Sequence, residues 1–107
     1  MSGRDAYAAG ALAVWKYKLT PELCTLEMPA GATVLHVDAQ RHSGMDGVWD
    51  DACLWALVDP QAPTEPREFL TVGTGHGIAP APLQHLGSLL MDGGSLVFHV
   101  FERTPAG

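Results

Sequence analysis

The sequence predicts a small, mostly β domain: an antiparallel sandwich or barrel of about six or seven strands. Its 107 residues include 12 glycines and 8 prolines, which interrupt helices and favour frequent turns. Between the turns, short segments alternate apolar and polar side chains with the period of two that is typical of half-buried strands. We therefore expect one domain over residues 13–103, with flexible ends at 1–12 and 104–107.

The first strand is predicted at residues 14–19, where large apolar side chains alternate with two lysines. A second strand is predicted at 24–28 and a third at 33–39, with a proline- and glycine-containing turn between them. In the third strand, we expect Leu35 and Val37 to face one side of the sheet and the polar side chains beside them to face the other.

Residues 53–58 are apolar on both faces, as expected of a central strand that is covered on both sides. A proline-rich loop is predicted at 61–66, followed by a strand at 68–72 that is rich in β-formers. Three glycines soon after residue 72 end this strand.

A hairpin is predicted near the C-terminus. Its turn is Asp92-Gly93-Gly94, since glycine adopts the positive φ angles of tight turns, and residues 95–101 form its second arm. Residues 83–91 are expected to form the first arm, although this stretch is also compatible with one short helix.

The charge pattern excludes several classes of partner. Twelve acidic and six basic residues give a net charge of −6, and the basic residues are scattered along the chain. Because binding to a nucleic-acid polymer requires clustered cations, we expect no such partner. The sequence has no signal-peptide pattern and no apolar run near the roughly 20 residues of a membrane helix, so we expect a cytoplasmic protein without membrane contact. In that reducing compartment, Cys24 and Cys53 are expected to be buried free thiols.

The glycine-rich stretch after the predicted fifth strand is the best candidate for a ligand site. Its glycines allow backbone N–H groups to turn toward an anion, and a histidine adds a tunable donor. The predicted ligand-binding residues here are Thr74, Gly75, His76 and Gly77. The alternative is a strand exit that only needs unusual backbone angles. The stretch lacks the Gly-Lys-Ser/Thr ending of a phosphate-binding P-loop.

Arg41 and Trp49 complete the set of candidate site residues. Both belong to a polar, glycine-containing stretch, in which Arg41 is a cation able to hold a small anion. Trp49 is expected either to cap the core or to contact a ligand or partner.

We find no catalytic motif in the sequence. Ser43, Ser88 and Ser95 lie outside any Gly-x-Ser-x-Gly elbow. The five histidines and two cysteines lack the short spacing of zinc ligands. The sequence therefore predicts no metal and no cofactor, and an enzyme is the least favoured interpretation.

Several stretches resemble a family of small, mostly phage-encoded and bacterial proteins classed as a domain of unknown function. They cover most of the chain between residues 14 and 102. The resemblance implies no activity, but its phage context favours a counter-defence or host-modulating role over metabolism. The matching stretches are Val14–Tyr17, Glu27–Ala32, Val34–Val37, Cys53–Pro60, Val72–His76 and Gly93–Phe101.

The chain departs from the family pattern by an insertion at residues 41–51, which lengthens a hairpin or loop. We expect a small phage-type binding protein, acting in the cytoplasm of the host cell if it is phage-encoded, that sequesters a small anionic ligand such as a nucleotide. A homo-oligomer is expected, because a single chain of this size offers little depth for a pocket. The alternatives are an acidic inhibitor that binds a host protein and a small nucleotide-processing enzyme that relies on His76.

Overall fold

The computed structural model describes residues 9–104. Seven strands form two antiparallel sheets that pack face to face, which confirms the predicted sandwich; the sheets stay separate and do not close into a barrel. Sheet A has the order β1-β4-β3 and sheet B the order β2-β5-β7-β6. The strands are β1 (Ala13–Leu19), β2 (Leu23–Pro29), β3 (Thr33–Gly44), β4 (Gly47–Val58), β5 (Thr64–Gly73), β6 (Leu83–Met91) and β7 (Leu96–Arg103).

The predicted ends of the chain lie largely outside this description, since residues 1–8 and 105–107 are not part of it. Within residues 9–104, the helical structure is limited to one 3₁₀ turn at Asp92–Gly94. Residues 83–91 therefore form a strand and not a helix, and the turn that joins them to β7 lies where the sequence predicts it.

The core lies between the two sheets. β1 shows how the sequence builds it: every second side chain is half-buried or buried, and the lysines between them are exposed. The molecule measures 44 × 44 × 18 Å, so its thin dimension accommodates two packed sheets and no third layer. The largest fully buried side chains come from both sheets: Phe69, Leu19, Met28, Leu54, Leu89, Val58, Val100 and Thr71.

One predicted orientation in β3 is wrong. A β-bulge between Val34 and His36 inserts one extra residue opposite β4. As a result Val34 and Val37 both pack against the core, whereas Leu35 is 52 % exposed. A strict alternation places Leu35 and Val37 on the same face, and the extra residue breaks that alternation.

β4 is central in its sheet, as predicted, but its outer face is only partly covered. Of the outward side chains, Cys53 is buried by its neighbours, while Trp55 and Leu57 are half-buried. The expectation of full cover on both sides is wrong, because the thin molecule has no layer outside sheet A. Cys24 and Cys53 are both free thiols; Cys53 is buried as predicted, whereas Cys24 is only half-buried.

β5 begins at Thr64, inside the predicted proline-rich loop. Pro66 pairs with Glu27 of β2, and the pairing of β5 with β7 starts only at Glu68. At Pro66 the strand thus has a neighbour on one side only. A proline is tolerated there because no second ladder requires its missing N–H group.

Two features of the topology position the candidate site. β1 pairs with β4 only as far as Ala52, so residues 40–51 continue as a two-stranded hairpin, here called the overhang. β5 and β6 are parallel and lie on either side of β7. The segment 74–82, which joins them, therefore crosses the outer face of sheet B.

Candidate functional site

Three segments meet at one end of the sandwich, here called the hairpin end: the overhang, the turn at 73–77 and the 3₁₀ turn at Asp92–Gly94. They enclose two adjoining open hollows of about 360 Å³ each. Both hollows share Leu96 and Phe98 of β7. The first is also lined by Arg41, Val48, Trp49, Asp50, Met91 and Asp92, and the second by Gly73, Thr74, His76, Ser95 and Val97.

An ion pair fixes the overhang against the β6–β7 turn. Arg41 and Asp50 face each other in the register of β3 and β4, and the guanidinium donates two hydrogen bonds, Nε to Oδ1 at 3.0 Å and Nη2 to Oδ2 at 3.1 Å. Asp50 Oδ2 also accepts a bond of 2.6 Å from the backbone N–H of Asp92. The Asp50 side chain is 8 % exposed, so its carboxylate is largely shielded from solvent and bonds to protein groups instead.

The same contacts lower the pKa of Asp50 from its ordinary value. The largest cause is the hydrogen bond from Arg41, followed by the bond from the Asp92 N–H, and desolvation opposes both. A carboxyl whose pKa is lower in the folded state stabilises the fold above the pKa of the unfolded chain. That stability is lost as the pH falls through the folded value.

Asp50→Asn is therefore expected to lower the free energy of unfolding near neutral pH, and the difference from the wild type should shrink as the pH falls below about 4. Urea unfolding at a series of pH values measures this difference. Asp46→Asn, at the exposed tip of the overhang, is the matched control and should show no such trend. A difference that stays constant into acid would show that the charge of Asp50 is not what stabilises the hairpin end.

The overhang exposes an unusual amount of apolar surface. Met45 at its tip is fully exposed, Val48 is 62 % exposed and Trp49 is 45 % exposed. The Trp49 ring stacks on His42 across the hairpin, with centroids 5.6 Å apart. His42 Nε2 in turn lies 3.1 Å from a carboxylate oxygen of Asp51. The stacked ring is thus held in place at the surface, and Trp49 is not among the side chains that pack against the main core.

The turn at 73–77 is built from its own hydrogen bonds. The N–H of His76 donates to Gly73 O at 3.1 Å, and the N–H of Thr74 donates to Val97 O at 3.2 Å. A positive φ of 89° at Gly75 allows the reversal. The His76 ring folds back over Gly73. A side chain at residue 73 would come into tight contact with that ring. Two of the backbone N–H groups that were predicted to bind an anion, those of Thr74 and His76, are thus already bonded to carbonyl groups of the protein.

The structure brings together four of the six predicted site residues. Arg41 and Trp49 line the first hollow, and Thr74 and His76 line the adjoining one. Gly77 lies apart, in a third hollow beneath the crossing segment 74–82, and Gly75 supplies the turn.

The charges of the two hollows do not favour an anion. Their lining carries one guanidinium, which is paired, against the carboxylates of Asp50 and Asp92. Apolar and aromatic groups make up much of the remaining surface. This arrangement suits a ligand that is apolar and neutral or positively charged.

A family model matches residues 11–107, and its description is "Domain of unknown function (DUF7352)". The chain belongs to this DUF7352 family. The match confirms the resemblance to a domain of unknown function that the sequence motifs show. Comparisons with curated proteins and with solved structures gave no match.

Sequence reasoning missed one group of polar residues in this DUF7352 domain. His99 contacts Ser88 across the β6–β7 hairpin and also contacts Thr74. The signal was available: once Asp92–Gly94 is taken as the turn, Met91 faces Leu96, and counting outward along both arms places Ser88 opposite His99. A search for motifs along the chain does not find this pair, because eleven positions separate the two residues.

Two further findings complete the description of residues 9–104. No group of three or more His, Cys, Asp or Glu side chains is arranged to hold a metal ion. No helix in this part of the chain has the length and apolar character to cross a bilayer.

Proposed function

We propose that this protein binds the basic surface of a partner protein through its hairpin end. One observation carries the proposal: the overhang presents Met45, Val48 and Trp49 to solvent. Exposed aromatic and methionine side chains on a soluble domain are typical of interaction sites. A stacked tryptophan offers a large contact area at little cost in side-chain entropy.

The charge of the overhang indicates the chemistry of the partner. Between residues 40 and 51 the chain carries three aspartates and one arginine, a net charge of −2 out of −6 for the whole chain. Lys18 offsets part of this charge, because its ammonium lies 3.4 Å from Asp51. An apolar tip with acidic residues around it is complementary to a basic groove with an apolar centre, such as the groove of a nucleic-acid enzyme.

The open shape of the hollows also supports a protein partner over a small molecule. Their volume of about 360 Å³ lies at the lower end for ligand sites, which usually enclose most of the ligand. A nucleotide, the ligand that the sequence favours, would meet one guanidinium that Asp50 already neutralises. A protein surface needs no enclosure, and it can contact the tip and both hollows together.

Trp49→Ala is expected to weaken this binding by about 2 kcal/mol, about 30-fold in Kd, if the ring is a central contact. Proteins captured by the wild type from a bacterial lysate are compared with those captured by Trp49→Ala and by Leu35→Ala. Leu35 is the matched control because it is similarly exposed but lies on sheet A outside the overhang. A captured protein that only Trp49→Ala loses is then purified, and its Kd is measured by calorimetry at two salt concentrations.

The expected Kd rises when the salt concentration increases from about 0.05 to 0.5 M, because screening weakens the attraction between opposite charges. A thermal-shift series with cyclic and linear nucleotides runs in parallel. If a nucleotide raises the melting temperature of the wild type but not that of Trp49→Ala, the small-ligand interpretation replaces this one. If Trp49→Ala and Leu35→Ala capture the same proteins, the hairpin end is not the binding surface.

The proposed setting follows from the resemblance to phage proteins. Binding of a host enzyme or defence protein in the bacterial cytoplasm would make the protein a counter-defence factor. Assembly into a homo-oligomer would present several hairpin ends at once and raise the avidity for a repeated target.

A further inference from the structure

A chain of three polar side chains crosses the outer face of sheet B. His99 lies at its centre: Nδ1 is 2.9 Å from Ser88 Oγ, and Nε2 is 2.7 Å from Thr74 Oγ1. Thr74 Oγ1 is also 3.4 Å from the carbonyl oxygen of Val97. Ser88 is exposed and His99 is half-buried, so the serine is accessible from solvent while the imidazole is held between two hydroxyl groups.

Hydrogen-bond counting decides the direction of this chain. If Thr74 donates its only hydroxyl proton to the Val97 carbonyl, its oxygen accepts from His99 Nε2–H, and Nδ1 is free to accept from Ser88. All three contacts are then satisfied. In the opposite direction Thr74 donates to Nε2, its 3.4 Å hydroxyl contact with the Val97 carbonyl is lost, and only two of the three contacts remain; that carbonyl then keeps only the bond from the Thr74 backbone N–H among the bonds that Thr74 gives it. The first arrangement directs the basic lone pair of His99 at the proton of Ser88.

We propose that Ser88 is a nucleophile that accepts an acyl group from activated esters, with His99 as its base. A hydroxyl in hydrogen-bond contact with a base that a third group orients is the arrangement that activates serine. Thr74 is a positioning residue, since it holds the imidazole in the required tautomer. This activity does not depend on the proposed binding at the hairpin end.

The step is an acyl transfer. Ser88 Oγ attacks the carbonyl carbon of the ester and forms a new C–O bond, while its proton passes to His99 Nδ1. The tetrahedral adduct then breaks the bond to the leaving oxygen, which takes the proton from His99. The products are an ester of Ser88 and the free alcohol or phenol.

The surroundings of Ser88 indicate the class of ester. Leu90 and Val97 face each other in the next pair on the outer face of the hairpin, two residues along each strand, and both are exposed. His85 and Phe101 stack edge to face on the other side of Ser88, with centroids 5.3 Å apart. A short apolar acyl chain would lie along either pair, so esters of acetate or butyrate are the expected substrates.

p-Nitrophenyl acetate tests the proposal with the full-length chain. The release of nitrophenol is followed by absorbance, and the acetylated residue is located by peptide mass analysis. We expect one acetyl group on Ser88, a loss of that group in Ser88→Ala, and full labelling in Ser43→Ala, which removes another exposed serine. Acetylation that is equal in Ser88→Ala and the wild type, or that falls on Thr74, overturns the proposal.

Variants of the other two residues test their roles. His99→Asn should slow the acetylation of Ser88 by about 100-fold, the usual contribution of a general base. Thr74→Val should slow it by about tenfold and alter its pH profile, and Thr74→Ser, which restores the hydroxyl, should recover both. An unchanged rate in His99→Asn contradicts the proposal, as does a failure of Thr74→Ser to recover the rate.

A second measurement does not require that His99 variants fold. Ser88→Cys is compared with Ser43→Cys for the rate of alkylation by iodoacetamide, since a thiol beside a base reacts faster than a solvated one. Alkylation of Ser88→Cys should be faster than that of Ser43→Cys. Equal rates for the two thiols would show that His99 does not act as a base.

Discussion

Arg67→Met is expected to lower the free energy of unfolding by about 2–3 kcal/mol, which is a large part of the stability of a small domain. The Arg67 guanidinium lies between the sheets, at the end opposite the overhang. It donates to both carboxylate oxygens of Glu102 at 2.7 Å and also to the carbonyl of Ala32. The two charged side chains are only 16 % and 19 % exposed. Methionine would leave the Glu102 carboxylate in this place without its partner.

A second ion pair on the same two strands is the matched control. Arg103 and Glu68 pair on the outer face of sheet B, where their side chains are 39 % and 26 % exposed. Arg103→Met should cost less than about 1 kcal/mol, because water stabilises the carboxylate that remains. Urea unfolding of both variants makes the comparison, and equal losses would show that Glu102 depends on its arginine no more than Glu68 does.

A double variant separates the cost of an unpaired charge from the value of the pair. Arg67→Met with Glu102→Leu removes both charges and leaves apolar groups between the sheets. This variant should be more stable than Arg67→Met alone, since replacing a buried pair by apolar side chains is often neutral. A double variant less stable than the single one would mean that the hydrogen bonds of the pair contribute more than its burial costs.

Gly87→Ala is expected to cost about 2–3 kcal/mol, although it adds a single methyl group. A Cβ at Gly87 would lie 2.6 Å from Cγ2 of Val37, where β6 of sheet B runs beside β3 of sheet A. Val37 is buried, and its β-branched side chain has few other rotamers. The two sheets would have to move apart at this edge to admit the methyl group.

Val37→Ala in the Gly87→Ala background tests this explanation by thermal unfolding. If the contact is the cause, the double variant loses less stability than the sum of the two single variants. Gly77→Ala is the control, because a Cβ there meets nothing within 4 Å and its φ needs no glycine; it should be neutral or slightly stabilising. A large loss in Gly77→Ala, or strict additivity at the first pair, contradicts the steric explanation.

The sequence pattern correctly predicted those strands and turns whose structure depends only on residues that are close together in the chain. The alternation in β1 and the Asp92-Gly93-Gly94 turn lie where the sequence places them, because each depends on neighbouring residues alone. The bulge in β3 depends on the pairing with β4, and it reversed the expected direction of Leu35. The choice between helix and strand at 83–91 likewise depends on contacts outside that stretch: pairing with β7 across the Asp92–Gly94 turn and packing against β3, which lies far away in sequence.

The candidate site shows the same division. The composition of the stretches around Arg41, Trp49 and His76 marked them as unusual, and the structure places them in adjoining hollows. Asp50, the partner of Arg41, has no feature in the sequence that distinguishes it from the other acidic residues. Only the β3–β4 register shows that it neutralises Arg41 and binds the backbone of Asp92.

The place of β7 also governs the order in which the fold can be completed during translation. β7 lies between β5 and β6 and pairs with both, yet it is the last of these seven strands to leave the ribosome. Until then β6 has no partner in its sheet, whereas the β3–β4 hairpin closes between adjacent segments and the β1–β4 pair needs no residue beyond Val58. The nascent chain therefore carries a nearly finished sheet A beside an open sheet B. A chain that stops before Leu96 lacks β7, so the parallel strands β5 and β6 have no strand between them to pair with.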